Sequence, residues 1–158
     1  MEQIYEQTRI DVCSYLICLG VPDAQAQELT QEVYLRLYQA MRKGNDILNM
    51  RAWLFRVAHN LGLKVRTREK SFRIVSADWD RFADPATKSP ERTTLDREKM
   101  QRLETALKTL SPQQRNCLYL RAEGLRYREI AEVMGVSVST VNEFLRRAIA
   151  RLAEPENV

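Results

Sequence analysis

The stretch YREIAEVMGVSVSTVNEFLRRAIARL, residues 127–152, sets the frame for the whole chain. Tyr127, Ile130, Ala131 and Met134 recur at i, i+3, i+4 and i+7, which predicts a short helix with one buried face. Gly135 follows as a left-handed stop, and Ser137 stands where a side-chain oxygen can cap a second helix. In that second helix Val141, Leu145, Ala148, Ile149 and Leu152 form an apolar stripe, while Ser139, Asn142, Glu143, Arg146, Arg147 and Arg151 occupy the other faces. Two short helices joined by a tight glycine turn make a helix-turn-helix. A polar and basic outer face on the second helix suits a reader of the DNA major groove. It suits equally the wet side of an αα-hairpin in an ordinary bundle, and this stretch alone leaves both open.

Upstream, Ser111-Pro112-Gln113-Gln114 is a helix start: Ser at the cap, Pro at the first helical position and Gln three residues after the cap. The helix it opens carries Cys117, Leu118 and Leu120 and ends near Gly124. Before it, residues 94–110 read as a helix with Met100, Leu103, Ala106, Leu107 and Leu110 inward. Periodicity fades over residues 71–93, where Asp84-Pro85 and Ser89-Pro90 mark a linker. Its Phe72, Ile74, Val75, Trp79 and Phe82 are expected to dock onto the chain's own domains, with an external groove as the alternative.

Three further helices are predicted ahead of the linker. The first covers residues 2–19, with Tyr5, Thr8, Val12, Tyr15, Leu16 and Leu19 on one face. The second covers 24–42, capped by Asp23, with a core stripe of Leu29, Val33, Leu37, Ala40 and Met41. On it Glu28, Glu32, Arg36, Gln39 and Lys43 form a separate charged row, fit for i,i+4 pairing on a wet surface or for docking a basic partner. The third covers 50–70, with Met50, Leu54, Val57, Ala58 and Leu61 inward and Arg56, Asn60 and Lys64 as a polar row. Gly62 costs ~1 kcal/mol of helix stability against Ala, so a break or bend is expected near Asn60. Trp53 and Phe55 are expected to be mainly core. The fold class is therefore all-α: two small helical domains, residues 1–70 and 94–158, joined by the linker 71–93.

Composition narrows the function. An apolar content of 44% over 158 residues excludes wholesale disorder, and a net charge of +4 is only a weak pointer to nucleic acid. The distribution says more: Arg36, Arg42, Lys43, Arg51, Arg56, Lys64, Arg66, Arg68, Lys70 and Arg73 face only Asp46 and Glu69 in the same segment. Such a field attracts phosphate. Cys13, Cys18 and Cys117 show no CxxC spacing, and with His59 as the lone histidine no metal motif forms. No apolar run approaches the ~20 residues of a membrane span, and Met1-Glu2 is not a signal-peptide start. No membrane insertion, cofactor or catalytic residue is expected, and the expected location is cytoplasmic. No Walker loop or nucleophile-base motif suggests an enzyme.

With these residues in view, the sequence resembles the sigma-70 family of bacterial RNA polymerase sigma factors, in its extracytoplasmic-function class. LSPQQRNCLYLRAEGLRYREIAEVMGVSVSTVNEFLRRAIARL is similar to the family's region four. AQELTQEVYLRLYQAM resembles its polymerase-docking segment, and RAWLFRVAHNL its −10-engaging segment. The resemblance implies that Glu28, Gln31, Glu32 and Arg36 bind core RNA polymerase. It implies that Asn60, in a loop after the third helix, captures a base flipped from the −10 non-template strand, with Arg56, His59 and Lys64 as neighbours; for His59 the favoured alternative is an idle surface residue. An amide suits that capture because it both donates and accepts at a base edge. Ser139, Thr140, Asn142, Glu143, Arg146 and Arg147 match −35 contact positions, and Tyr127 and Arg128 match phosphate-positioning ones. Asn142 stands where the family often has a basic residue, which points to an unusual −35 preference.

The function these readings imply is an alternative sigma factor, with core polymerase and promoter DNA as partners and an anti-sigma factor or other protein inhibitor as a further one. Two alternatives remain at this stage: a helix-turn-helix regulator acting without polymerase, and a sigma-like interaction protein held by a regulatory partner. The −35 and −10 elements lie ~25 base pairs or ~85 Å apart. The linker extends to at most ~75–80 Å, and each domain adds a radius of ~11 Å, so the tether suffices.

Overall fold

A computed structural model of the chain describes residues 2–68 and 94–153; the linker 71–93 and its apolar side chains lie outside the described residues. Seven α-helices account for them: α1 (Glu2–Cys18), α2 (Asp23–Arg42), α3 (Met50–Arg68), α4 (Thr94–Lys108), α5 (Pro112–Ala122), α6 (Tyr127–Met134) and α7 (Val138–Ala153). No strand occurs among the described residues.

Local signals set several helix ends as the sequence predicts. Ser111 Oγ accepts from the Gln114 backbone N–H at 3.1 Å, and Gln114 Oε1 accepts from the Ser111 N–H at 3.2 Å, a complete capping box. Gly135 ends α6 in the left-handed region at φ 69°, and Ser137 Oγ then accepts from the Thr140 N–H at 3.1 Å to open α7. Asp23 departs from expectation. Pro22 holds the cap position of α2 without a side-chain bond, and Asp23 lies in the first turn, where its charge faces the positive end of the helix.

The first three helices pack around Val12, Leu16, Leu19, Val33, Leu37, Leu54 and Ala58, all buried. On α2 the inward face is rotated from the expected stripe. Ala26, Thr30, Val33, Tyr34 and Leu37 are buried while Met41 is 44% exposed. Polar residues can turn inward there because they are paired: Thr30 Oγ1 donates to the Ala26 carbonyl at 2.7 Å, and the Tyr34 hydroxyl meets that of Thr8. α3 does not break at Gly62. A β-carbon there would lie 2.7 Å from Leu19 Cδ1 and 3.2 Å from Leu16 Cδ2, so the glycine serves close approach of α3 to α1 rather than a bend.

In the second group α5, α6 and α7 enclose Cys117, Leu120, Ile130, Val133, Val141 and Leu145. α4 touches this core only through its last turns, where Leu107 and Leu110 pack with Ala148 of α7. Leu103 and Ile149, both expected inside, are 38% and 57% exposed.

The two groups share one continuous core. Tyr15 of α1 meets Phe55 of α3 and Tyr119 of α5, each with ring centroids 5.5 Å apart. Arg51 of α3 spans the seam: its Nη2 donates to Asp11 of α1 at 2.8 Å and to the Glu123 carboxylate at the end of α5, and its Nε donates to the Glu123 carbonyl at 3.1 Å. Asn49 donates to Glu129 of α6 across the same seam.

His59 lies inside this seam, not on the surface. It is 5% exposed, and its Nδ1 sits 2.8 Å from the Tyr15 hydroxyl. Burial, aided by the charge of Arg66, lowers its pKa from 6.5 to about 4. The unfolded chain therefore takes up a proton at His59 that the folded chain refuses, and stability falls as pH drops from 6.5 toward 4. The difference is worth roughly 3 kcal/mol when complete. Urea unfolding followed by circular dichroism at pH 7.5, 6.0 and 5.0 should show this decline. A His59→Gln variant, which retains a hydrogen-bonding group for Tyr15, should show a shallower one; an equal slope in both proteins would place the proton uptake elsewhere.

Candidate nucleic-acid interface

Three surfaces carry the residues singled out in the sequence. The first is the outer face of α7, projected by the α6–Gly135–α7 turn. Ser139, Asn142, Arg146 and Arg147 are exposed along it. Thr140 is half-buried and its hydroxyl lies 2.9 Å from Ser137 Oγ, so it belongs to the cap that starts the helix. Glu143 is tied to both arginines: Arg146 Nη2 donates to its two oxygens at 2.9 and 2.8 Å, and Arg147 Nε donates at 2.7 Å. Those hydrogen bonds hold its carboxyl below the usual carboxylate range. On α6 Arg128 is exposed, whereas Tyr127 is half-buried under the Arg121 guanidinium, 5.6 Å from the ring centroid.

A second surface is the row Arg56, Asn60 and Lys64, exposed at helical spacing along α3. Asn60 lies in the interior of this continuous helix, not in the loop that the resemblance implies. The reason is the Gly62 contact with α1, which keeps the helix running. His59, the fourth residue of this set, points the other way into the core. Arg56 and the half-buried Trp53 line a cleft of about 350 Å³ together with Asn49 of the turn before α3 and Glu129 and Glu132 of α6. Asn49 escaped the sequence reading, although Asn ahead of a helix is a cap signal. Its Oδ1 accepts from the Ala52 N–H at 3.1 Å.

The third surface lies on α2. Glu28 and Gln31 are exposed, and Arg36 Nε pairs with Glu32 Oε1 at 3.2 Å. Beside this charged row lie Leu35, Tyr38 and Met41, 50%, 47% and 44% exposed, with Arg42 over the Tyr38 ring. Adjacent exposed apolar side chains rimmed by charge form a patch of the composition common at protein–protein contact surfaces. Sequence periodicity missed it because Met41 fits the core stripe equally well.

Among the described residues no group of three His, Cys, Asp or Glu side chains is placed to hold a metal ion, and no helix is long and apolar enough to cross a membrane. Burial pushes the Cys18 and Cys117 thiols up to about 12, far from a reactive thiolate.

Comparison with known proteins matches the chain to a family. The sequence pattern of "Sigma-70 region 2" covers residues 4–72, and that of "Sigma-70, region 4" covers residues 100–152. The chain is 35% identical over 143 residues to the RNA polymerase sigma-H factor of Pseudomonas aeruginosa, spanning 84% of this chain and 74% of that protein. It is 29% identical over 156 residues to the ECF RNA polymerase sigma factor SigL of Mycobacterium tuberculosis, spanning 96% and 86%. Its fold is that of the sigma factor RpoE in the complex with the anti-sigma factor NepR from Bartonella quintana, at a TM-score of 0.68, 23% identity and coverage of 96% of this chain and 92% of that one. The chain, with its region-two and region-four halves, belongs to the sigma-70 family of RNA polymerase sigma factors, in the extracytoplasmic-function class.

Proposed function

We propose that this chain is an alternative sigma factor that docks on core RNA polymerase through α2, reads a −35 element with α7 and captures the melted −10 strand along α3. The observation that supports this reading is that one chain exposes polar and basic rows on two separate helices, α3 and α7, and an apolar face rimmed by charge on α2. A regulator acting alone needs only α7. Opening a promoter by trapping unpaired bases asks for binding energy and no bond-making chemistry. Unstacking a base costs a few kcal/mol, which Asn60 and its cationic neighbours Arg56 and Lys64 offset by contacts to the base edge and backbone.

The arrangement of the helices sets a further condition. A compact chain of this length has a radius of gyration of ~15 Å and is ~40 Å across, whereas the two promoter elements are ~85 Å apart. Both readers cannot engage together while α3 packs on α6, so promoter binding requires the two halves to part. The closed form is then the state in which a protein inhibitor, of the kind seen bound to the RpoE relative, holds the chain. The domain limits that fit this cycle are residues 1–70 and 94–158, with 71–93 as the tether.

Charge reversal on α2 tests the docking. Glu28→Lys combined with Glu32→Lys should lower co-purification with core polymerase at least tenfold while leaving the thermal melting temperature within a few degrees of wild type. Undiminished co-purification would favour the regulator that acts without polymerase. On α7, Asn142→Ala or Glu143→Ala should change the bases selected from a randomised −35 element by ~1–3 kcal/mol at one or two positions. Arg128→Ala should weaken all sequences alike and reduce the salt slope by about one. If selection with the polymerase complex returned the same −35 preference for all three variants, α7 would not be reading through this face.

A further inference from the structure

α7 begins with an apolar side chain that the fold leaves half uncovered. Val138 is the first residue of the helix and is 46% exposed, whereas Val141, Leu145 and Ala148, which face the core, are at most 2% exposed. The start of the helix is built by its neighbours. Ser137 Oγ accepts from the Thr140 N–H at 3.1 Å, and the Ser137 carbonyl accepts from the Val141 N–H at 3.1 Å. The Val138 side chain takes part in neither bond, and a β-branched residue is a poorer helix former than alanine. Capping, propensity and burial therefore give no reason for valine at this position.

Its surroundings are polar. Ser139 and Asn142 are exposed beside it, and the Glu143–Arg146–Arg147 cluster lies further along the helix. Residues i and i+4 share one side of a helix, so Val138 and Asn142 lie on a common edge, about 6 Å apart along the axis. A single apolar side chain on a surface needs no special account. This one stands in the N-terminal turn of the second helix of a helix-turn-helix, the part that meets base edges in the major groove. There an amide can pair with N6 and N7 of adenine, whereas the C5-methyl of thymine is the apolar group that a base presents. Valine offers no donor or acceptor to the other edges, and its χ1 is already fixed by the helix, so contact with a methyl group costs it little freedom.

We propose that Val138 is a thymine-reading residue: its methyl groups pack on the C5-methyl of a thymine within about two base pairs of the base held by Asn142, two steps of the duplex rising ~7 Å. The inference rests on the reading of α7 as the −35 helix and adds to it an order along the helix, with apolar contact first, the amide next and the cations last. The −35 element of this chain then carries A·T pairs where the start of α7 enters the groove.

The test uses the full chain with core RNA polymerase. Binding to promoters with a randomised −35 element gives the selected sequence, and each thymine in it is then replaced singly by deoxyuridine, which lacks only the C5-methyl. At one thymine within about two base pairs of the base whose selection Asn142→Ala abolishes, the wild-type complex should bind the deoxyuridine promoter about fourfold more weakly, the worth of one buried methyl group. Val138→Ala, which raises helix propensity, should bind both promoters equally, and as weakly as wild type binds the deoxyuridine one; Val138→Ile should keep the discrimination. A wild-type complex indifferent to every replacement, or a loss as large in Val138→Ala, overturns the proposal. So does a Val138→Ala complex that is weaker on all sequences alike, because Val138 would then touch the DNA backbone or the polymerase. If no complex with polymerase forms, the sigma-factor reading fails while the thymine test still runs on duplex DNA selected by the chain alone; selection of no sequence in either form overturns both.

Discussion

A single guanidinium determines how this molecule is assembled. Arg51 reaches from the first turn of α3 to Asp11 of α1 and to both the carboxylate and the carbonyl of Glu123 at the end of α5. The Glu123 side chain is nearly inaccessible, and a buried carboxylate is tolerable only with a cation and hydrogen bonds in place. The contact therefore orients the two halves as well as joining them. Given that orientation, Tyr15, Phe55 and Tyr119 form an aromatic cluster around the same point, and α6 lies across α3. Ion pairs are concentrated here, as they are in the more polar interfaces between domains of one chain.

Electrostatics on α7 work at a different scale. Glu143 ties up Arg146 and Arg147, but all three lie at the surface, where such pairs are worth only ~0.2–1 kcal/mol. A bidentate contact from arginine to a guanine edge is worth ~1–3 kcal/mol. Under the proposed reading of α7, DNA recruits the arginines at small cost, and the carboxylate holds them in a defined fan until it does. The same reasoning applies to the Glu32–Arg36 pair on α2, which a docking partner can rearrange.

What was legible in the sequence was local. The Ser111–Gln114 box, the Gly135 turn, the Ser137 cap and the seven helices depend on neighbours within a turn or two, and their signals sit in the chain as written. The seam had no such signal. Arg51 and Glu123 are 72 residues apart, and His59 and Tyr15 are 44, so neither pairing leaves a trace in periodicity. Gly62 was misread as a helix breaker because its propensity penalty, ~1 kcal/mol, is visible locally whereas its packing against Leu16 and Leu19 is not. Met41, Leu103 and Ile149 continue apolar stripes past the point where a neighbouring helix covers them. Periodicity identifies a face but not how far along it a partner extends.

The central claim, that this chain confers promoter choice on RNA polymerase, is tested most directly by transcription from a library of genomic fragments using core polymerase with and without the purified protein, with transcript starts mapped. The account predicts discrete start sites that depend on the protein and share one −35 and one −10 sequence at a fixed spacing. Absence of any protein-dependent start site, from a folded protein that binds duplex DNA unaided, would contradict it.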